Sequence, residues 1–545
     1  MIRIEEFLLS ILNKSLRELY PKHFVRDELI LDLTDDNRFG DLSTNIALKL
    51  AKPLKSSPRK IGEGLILALD RELKNSPVAK FIKDIKIEGA GFVNFYLHEN
   101  YFYEFLGNVL RDKDSAFRPA LGNDRRVLIE FVSANPTGSL SVAHARQAAV
   151  GDSLANILDF SGFKAKREYY LNDEGNQINI LGQSVEMRLK ELDGEKIDFP
   201  ESYYQGDYIY EIARKAREEN IKQKDLGDFA AAYILDEIKK ELSDFGVNFD
   251  YWSSQKELRK SGKIEEALGT LKDKGLLYES EGATWFKSTQ FGDDKDRVVI
   301  KSDGSYTYLA PDVAYHREKY NRGFEWLINL WGPDHHGYIN RLKASVEGLG
   351  KPSDSLSIII VQLATIFRGG KQVHMSTRRG QYITLREVLD EVGRDAARFF
   401  FCMRRTSSHL DFDLDIAKKQ TSENPVFYVQ YAYARICSIL RNSAGDKDGP
   451  GVNMGLLKEK EEIELLKKIW QLPFIINICV KTLDPFMLTV YVQGLAESFH
   501  KFYDTHRVLG QEESLSRARL SLLEGSRIAI ATCLDLLGVS KPEKM

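Results

Sequence analysis

The sequence predicts an α/β plus all-α protein. We expect a small α+β N-terminal domain, a parallel-sheet domain with a helical insertion, and a C-terminal helical bundle. Three observations predict this class. The 545 residues exceed the ~250–300 that one hydrophobic core usually holds. Strand patterns alternate with helix patterns through the middle of the chain, which is typical of a doubly wound parallel sheet. After about residue 382, only helical patterns remain.

Residues 1–110 are predicted to form the N-terminal domain. Apolar residues at helical spacing run through Asp41–Lys52, and two short strands, Ile85–Ile87 and Phe92–Leu97, flank a glycine-rich turn. The next segment, 111–124, holds proline and glycine but few apolar residues, so we expect a linker there.

Residues 121–381 are predicted to form the parallel-sheet domain. Its first helix is Val142–Leu158, and the charged, mostly helical stretch at about 175–275 is expected to be an insertion. The predicted strands of the sheet are Arg126–Val132, Lys166–Leu171, Arg297–Ile300, Trp326–Trp331 and Leu356–Gln362.

Residues 382–545 are predicted to form the helical bundle. Apolar residues recur at helical spacing from Val429 to Leu440, and again from Ile528 to Leu537. This pattern indicates two of its helices.

The composition excludes several classes of protein. The formal net charge of -3 rules out a globally basic coat, although local basic patches are enough to bind nucleic acid. The four cysteines form no C-x-x-C pair and have no histidine at zinc-ligand spacing, so we expect no structural zinc. The sequence predicts no signal peptide and no apolar run of the ~18 residues that a membrane helix needs. We therefore expect a cytoplasmic protein.

The most informative stretch runs from Glu130 to His144. A strand ends, small residues and a proline turn the chain, and a helix begins beside a histidine. Ligands of α/β sheets bind at the carboxyl ends of strands, where helix N-termini present free N–H groups to phosphate. An ordinary strand–turn–helix corner, capped by Ser141, remains the alternative at this point.

A second cluster, Trp331–Tyr338, contains Asp334 beside two histidines and could suggest a metal site. Adjacent histidines on a helix point in different directions, and no third ligand lies at zinc spacing. We therefore predict no metal site there.

The stretch 130–144 resembles the "HIGH" segment of class I aminoacyl-tRNA synthetases, which in arginyl enzymes typically reads A-N-P-T-G-P-L-H-V-G-H. Ala134–Gly138, Leu140, Val142 and His144 match it. Ser139, Ser141 and Ala143 depart from it, and they replace a proline, a histidine and a glycine. Serine cannot carry the positive charge that a histidine offers to phosphate, and an alanine methyl would intrude where adenine lies against the glycine.

A downstream stretch, His374–Gly380, resembles the "KMSKS" loop that closes over the triphosphate. His374 and Thr377 replace its two lysines. Arg378 offers a positive charge, but its guanidinium differs in reach from a lysine ammonium. Further family-like segments occur in order along essentially the whole chain: Phe39–Ala51, Tyr169–Ile178, His409–Asp415 and Asn424–Arg435. The chain thus resembles the arginyl-tRNA synthetase family, and the resemblance implies a Rossmann-type catalytic domain.

The resemblance also implies site residues. The catalytic set would be His144, Ser141, Ser376 and Arg378. The arginine-binding set would be Glu130, Ser133, Asn135, Tyr308 and Asp312, because a guanidinium needs a carboxylate and an aromatic face. The ATP-binding set would be Ala143, His144, Gly332, Asp334, His374, Met375 and Ser376. The tRNA-binding set would be Tyr428, Tyr431 and Arg435, although aromatic residues at helical spacing equally suit a core.

The implied reaction joins L-arginine to tRNA(Arg) through arginyl-adenylate and uses ATP and Mg²⁺. We expect the protein to act as a monomer. Three alternatives remain. A catalytically weakened paralogue that binds tRNA or arginine as a regulator is suggested by the altered signatures. A cysteinyl-type ligase would need zinc thiolates, which the scattered cysteines argue against. A purely RNA-binding or scaffolding protein would need no nucleotide site.

Overall fold

A computed structural model describes residues 3–23, 29–34, 36–74, 76–373, 382–443 and 452–545. Within these ranges, none of the helices has the length and apolar character needed to span a bilayer.

The N-terminal part of the chain forms a four-stranded antiparallel sheet flanked by helices. Its elements are α1 (Ile4–Leu19), β1 (Asp32–Leu33), β2 (Leu42–Thr44), α2 (Ile46–Leu54), α3 (Pro58–Leu73), β3 (Ile82–Glu88), β4 (Phe92–Leu97) and α4 (Glu99–Asp112). The strand order is β1-β2-β4-β3. The two predicted strands are confirmed as parts of β3 and β4. The helix predicted over Asp41–Lys52 is instead β2 followed by α2.

The predicted linker at 111–124 is wrong in its first half. Helix α4 continues to Asp112, and a short 3₁₀ turn follows it at Lys113–Phe117. Phe117 is fully buried and packs against Phe105, with 6.1 Å between the ring centroids. A single aromatic residue therefore anchors a segment whose composition suggests a flexible connection.

The centre of the molecule is a five-stranded parallel sheet. The elements of this region are β5 (Arg126–Glu130), α5 (Val142–Phe160), β6 (Lys164–Leu171), α6 (Asn176–Leu192), α7 (Tyr208–Glu218), α8 (Leu226–Asp244), β7 (Tyr251–Ser254), α9 (Gln255–Lys260), α10 (Lys263–Asp273), β8 (Leu277–Ser280), β9 (Ala283–Phe286), β10 (Arg297–Ile300), α11 (Leu309–Asn321), β11 (Trp326–Trp331), α12 (Ile339–Gly348) and β12 (Leu356–Ile360). The strand order β12-β11-β5-β6-β7 places β5 where the direction of winding reverses. Ligands bind at that switch point in open α/β sheets.

The parallel sheet confirms the predicted fold class and corrects two of its details. The stretch 175–275 is not purely helical, because β7 lies within it and pairs with β6 as the fifth strand. The predicted strand Arg297–Ile300 exists, but it pairs with β9 in a separate three-stranded antiparallel sheet and not with the parallel sheet. Strand composition predicts a strand but does not specify its partner.

The remaining chain is mainly helical. Its elements are β13 (Ala364–Arg368), β14 (Lys371–Gln372), α13 (Leu385–Cys402), β15 (Leu410–Asp413), α14 (Leu414–Ala417), α15 (Pro425–Asn442), α16 (Lys460–Thr482), α17 (Phe486–Thr505) and α18 (Glu513–Leu537). The expectation of no strand after residue 382 is wrong at β15, which pairs in parallel with β13. Helices α15 to α18 form the predicted bundle around buried apolar side chains.

The two ends of the chain pack against each other. The rings of Tyr101 and Phe102 on α4 lie edge-on to Trp470 of α16, with centroid separations of 6.1 and 5.3 Å. The Tyr103 hydroxyl donates to the Leu457 carbonyl at 2.6 Å. The N-terminal part is therefore fastened to the helical bundle.

Candidate active site

The corner between β5 and α5 contains strained backbone. Val132 and Ser133, directly after the strand, have φ angles of +69° and +41°. A β-branched residue such as valine rarely adopts the left-handed region, and such residues cost ~1–3 kcal/mol each and cluster at functional sites. The Ser133 hydroxyl donates to Glu130 Oε1 at 3.2 Å and accepts the Tyr170 N–H at 3.1 Å. These contacts hold the turn over the end of the sheet.

His144 lies in the first turn of α5 with a fixed ring orientation. The backbone N–H of Ser141 donates to His144 Nδ1 at 3.1 Å, so the ring proton of the neutral form lies on Nε2. Burial lowers the pKa of His144 to about 4, and the negative charge of Asp334 opposes that shift. His144 is therefore a neutral hydrogen-bond donor at physiological pH.

Helix α11 presents polar side chains to the end of the sheet. Tyr308 caps its beginning and is 83% exposed. One turn later, Asp312 Oδ2 accepts the Tyr338 hydroxyl at 2.5 Å. Desolvation raises the pKa of Asp312 to about 7, helped by the nearby charge of Glu130. The Asp312 carboxylate is therefore poised to pair with a cationic ligand.

The next turn of α11 carries a histidine that cannot serve as a cation. His316 Nδ1 lies 2.8 Å from the Asp312 carbonyl oxygen, which only accepts, so Nδ1 carries the proton. His316 Nε2 then accepts from Asn329 Nδ2 at 2.9 Å. Burial and the neighbouring Lys319 charge hold the pKa of His316 well below its usual value. Neutral His316 thus ties α11 to β11.

Sequence reasoning missed the basic residue beneath these groups. Lys319 is fully buried, and its ammonium pairs with Glu130 Oε2 and lies 3.8 Å from Glu168 Oε2. Glu168 also accepts from Arg322 Nη2 at 2.6 Å. The signal available in the sequence was the position of Lys319, two helical turns after Asp312 and thus on the same face. A lysine is usually solvated, so this signal is weak.

A large cleft lies at the start of α5. It encloses about 760 Å³, and its lining includes Asn135, His144, Thr384 and residues 201–208. Asn135 Nδ2 donates to Gln177 Oε1 at 2.7 Å, which joins the turn to α6. Of the five arginine candidates, Asn135 lines this cleft, together with Ser141 and His144 at the start of α5.

Gly332 and Asp334 follow the end of β11 and lie near α5, where the charge of Asp334 acts on His144. A Cβ on Gly332 would stand 2.6 Å from Asp334 Oδ1, so a side chain there would displace that carboxylate, and it would be in ordinary contact with Gln147 Nε2 at 3.9 Å. Asp334 is exposed, with His335 Nε2 at 3.4 Å. Ala143 is half-buried in the first turn of α5. An open backbone facing a helix N-terminus is suited to a nucleotide.

The segment after the second signature is joined to the first. The Leu385 N–H donates to the Leu140 carbonyl at 2.8 Å, and the Tyr382 hydroxyl donates to the Ser139 carbonyl at 3.0 Å. The signature residues themselves, His374, Met375, Ser376 and Arg378, lie outside the described residues.

The tRNA candidates lie apart from this cleft, on α15. Tyr431 is 42% exposed and stacks on His500, whereas Tyr433 is buried in the bundle. Tyr428 is half-buried against His500, and Arg435 donates to the Tyr503 hydroxyl at 3.0 Å. The aromatic stripe thus divides into one core residue and a partly exposed group around His500.

Comparison with known families gives matches along nearly the whole chain. The arginyl tRNA synthetase N-terminal domain matches residues 6–97, and the class I (R) tRNA synthetase catalytic domain matches residues 106–407. The DALR anticodon binding domain matches residues 429–545.

Individual relatives agree with these matches. An arginine–tRNA ligase of Desulforamulus reducens is 46% identical over 533 residues, which are 95% of this chain and 94% of the relative. That of Bacillus subtilis is 42% identical over the full length of both chains. The fold matches a Thermus thermophilus arginyl-tRNA synthetase structure over all of both chains, with a TM-score of 0.80 at 21% identity. The chain therefore belongs to the arginyl-tRNA synthetase family of class I.

Proposed function

We propose that the protein ligates L-arginine to tRNA(Arg) in two steps that consume ATP. The arginine carboxylate attacks the α-phosphorus of ATP, which gives arginyl-adenylate and releases pyrophosphate. The 2′-hydroxyl of the terminal tRNA ribose then attacks the arginyl carbonyl, and AMP leaves. The observation that carries the proposal is the half-buried Asp312 carboxylate beside Glu130, at the end of the strand that leads into α5.

The arginine would lie between α11 and the turn after β5. Asp312, held by Tyr338, would pair with the guanidinium, and exposed Tyr308 would cover it. Glu130, Ser133 and Asn135 would hold the α-amino end near the ATP. The arginine carboxylate and the ribose hydroxyl are themselves the nucleophiles of the two steps, so positioning and charge stabilisation would account for the rate.

The ATP would lie at the start of α5. His144 and Ser141 would donate to phosphate oxygens, Ala143 would lie under the adenine, and Gly332 and Asp334 would flank the ribose side. His374, Met375, Ser376 and Arg378 would close over the triphosphate. Mg²⁺ would be bound chiefly by the phosphates, which is its usual mode with nucleotides.

The tRNA would reach from this cleft to the helical bundle. We propose that residues 1–110 form the N-terminal tRNA-contacting domain, 121–381 the catalytic domain and 382–545 the anticodon-binding domain. Tyr428, Tyr431 and Arg435 would contact anticodon bases by stacking and charge. We further propose that the protein works as a monomer in the cytoplasm, where its substrates are found.

The test is aminoacylation of transcribed arginine tRNA with radiolabelled arginine, ATP and Mg²⁺, with other amino acids in parallel. Arginine-only charging supports the proposal. Asp312→Asn should abolish most charging, whereas Asp273→Asn at the exposed end of α10 should leave it unchanged. Absence of charging with retained tRNA binding would instead identify a weakened paralogue that binds tRNA as a regulator.

A further inference from the structure

The buried ammonium of Lys319 joins two strands of the parallel sheet. Glu130 on β5 and Glu168 on β6 are register partners, so their side chains emerge side by side. Lys319 pairs with the first and lies 3.8 Å from the second, while Asn329 Oδ1 on β11 lies 3.5 Å away. The ammonium also lies 4.1 Å from the centroid of the Tyr315 ring. Each of these four groups is an acceptor or an aromatic face.

The charges in this network cancel. Glu130 and Glu168 contribute two negative charges, and Lys319 and Arg322 contribute two positive charges, with Arg322 Nη2 at 2.6 Å from Glu168 Oε1. His316 is neutral because both ring nitrogens are engaged with neutral partners. Asp312 is then the one acidic group of this cluster with no cationic partner among the described residues.

We propose that Lys319 is a positioning and specificity-determining residue, which fixes the Glu130 carboxylate and leaves a single negative charge, Asp312, for the substrate. Arginine carries two cationic groups and one carboxylate, so its net charge of about +1 matches that single charge. This inference rests on the proposed function. A neutral amino acid would leave the Asp312 carboxylate buried without a partner, which is costly.

Removing the lysine should disturb the pocket in a defined way. Two carboxylates would then share only Arg322, and like charges close together cannot both remain ionised in a buried site. Glu130 would rotate or take up a proton, and either change weakens its hold on the α-ammonium of arginine. The effect should therefore appear in arginine binding and leave ATP binding unchanged.

The experiment compares three variants by calorimetric titration with L-arginine and, separately, with ATP. Lys319→Met should weaken arginine binding roughly tenfold or more, which corresponds to ~1.4 kcal/mol, while the Kd for ATP stays within about twofold. Glu168→Gln leaves one excess positive charge and should also weaken arginine binding. The double variant, Lys319→Met with Glu168→Gln, restores neutrality and should recover a large part of the affinity.

The rescue by the double variant separates a charge role from a packing role. Wild-type affinity of Lys319→Met for arginine, or a double variant no better than Lys319→Met, would overturn the inference. Equal losses for ATP and arginine would also overturn it, because they would indicate general damage to the fold. If the wild-type protein binds arginine but does not charge tRNA, the proposed ligase activity fails, and these titrations still test Lys319.

Discussion

At the scale of single residues, the charge state of His144 decides how it would act on ATP at the proposed site. Its Nδ1 accepts a backbone N–H and its Nε2 carries the proton, and burial lowers its pKa to about 4. A neutral donor contributes a hydrogen bond to the transition state but no positive charge. Ser141 stands where the family motif has another histidine, so this chain has no second imidazole donor at that position.

The first prediction follows from that neutral state. His144→Gln keeps an N–H donor and should retain much of kcat for pyrophosphate exchange in the presence of tRNA. His144→Ala removes the donor and should lower kcat by roughly 10²–10³. Equal losses in the two variants would indicate instead that a cationic imidazolium is needed.

The second prediction concerns the pH dependence of arginine binding. The pKa of Asp312 is raised to about 7 in the free protein, and only its ionised form pairs with a guanidinium. The KM for arginine should therefore rise as the pH falls below about 7, while the KM for ATP changes little. Calorimetry at pH 7 in buffers of different ionisation enthalpy should show proton release on binding. A flat KM between pH 6 and 8 would contradict this.

At the scale of elements, α5 is fixed by a buried arginine that has no carboxylate partner among the described residues. Arg146 Nη1 donates to the Gln362 and Ser408 carbonyls at 2.7 and 3.0 Å, and Nη2 donates to the Arg405 carbonyl at 3.0 Å. Burial lowers its pKa to about 10. Arg146 thus connects the helix that begins at the candidate ATP site to the segment before β13 and to the loop between α13 and β15.

The third prediction is that this arginine cannot be replaced by lysine. Lysine lacks the planar fork that reaches several carbonyls at once, so some of them would be left buried and unsatisfied at ~1–3 kcal/mol each. Arg146→Lys should therefore lower the melting temperature and raise the KM for ATP. Arg517→Lys, on the exposed face of α18, is the matched control and should change neither. A wild-type melting temperature and a wild-type KM for ATP in Arg146→Lys would contradict this prediction.

Elements differ in how far the sequence predicts them. Strands β5, β11 and β12 were predictable because each contains a run of apolar residues. Strand β7 was not predictable, because its four residues include two serines and lie half-buried at an edge of the sheet.

The residues of the candidate site also differ in how far the sequence predicts them. Asp312 stands in a motif that the sequence shows, and its role stays a prediction. The burial of Lys319 could not be predicted, because it depends on carboxylates brought from two other strands.

At the scale of the whole molecule, Asp152 on α5 joins the catalytic region to the helical bundle. It pairs with Arg167 of β6 at 2.7 Å and with the fully buried Arg398 of α13. Arg398 Nε also donates to the Leu537 carbonyl at the end of α18, at 2.9 Å. Gly538 follows with φ of +65°, and a Cβ there would stand 2.3 Å from Arg398 Nη2. Three parts of the chain therefore meet at one guanidinium.

The fourth prediction tests that junction. Arg398→Met should lower the free energy of unfolding by about 3–5 kcal/mol, because it leaves the Asp152 carboxylate with one partner fewer in a buried site. Arg517→Met removes an exposed ion pair and should cost at most about 1 kcal/mol. Urea denaturation followed by circular dichroism measures both. Similar costs for the two variants would show that the junction adds no special stability.

The packing of α4 against α16 also has a consequence for how the protein is made. Tyr103 and its partner Leu457 are separated by 354 residues. A ribosome adds ~5–20 residues each second, so the aromatic face of α4 waits for roughly 20–70 s before its partner helix is synthesised. During that interval the sides of Tyr101 and Phe102 that pack against Trp470 lack their partner. This face is where we expect a chaperone to act during translation.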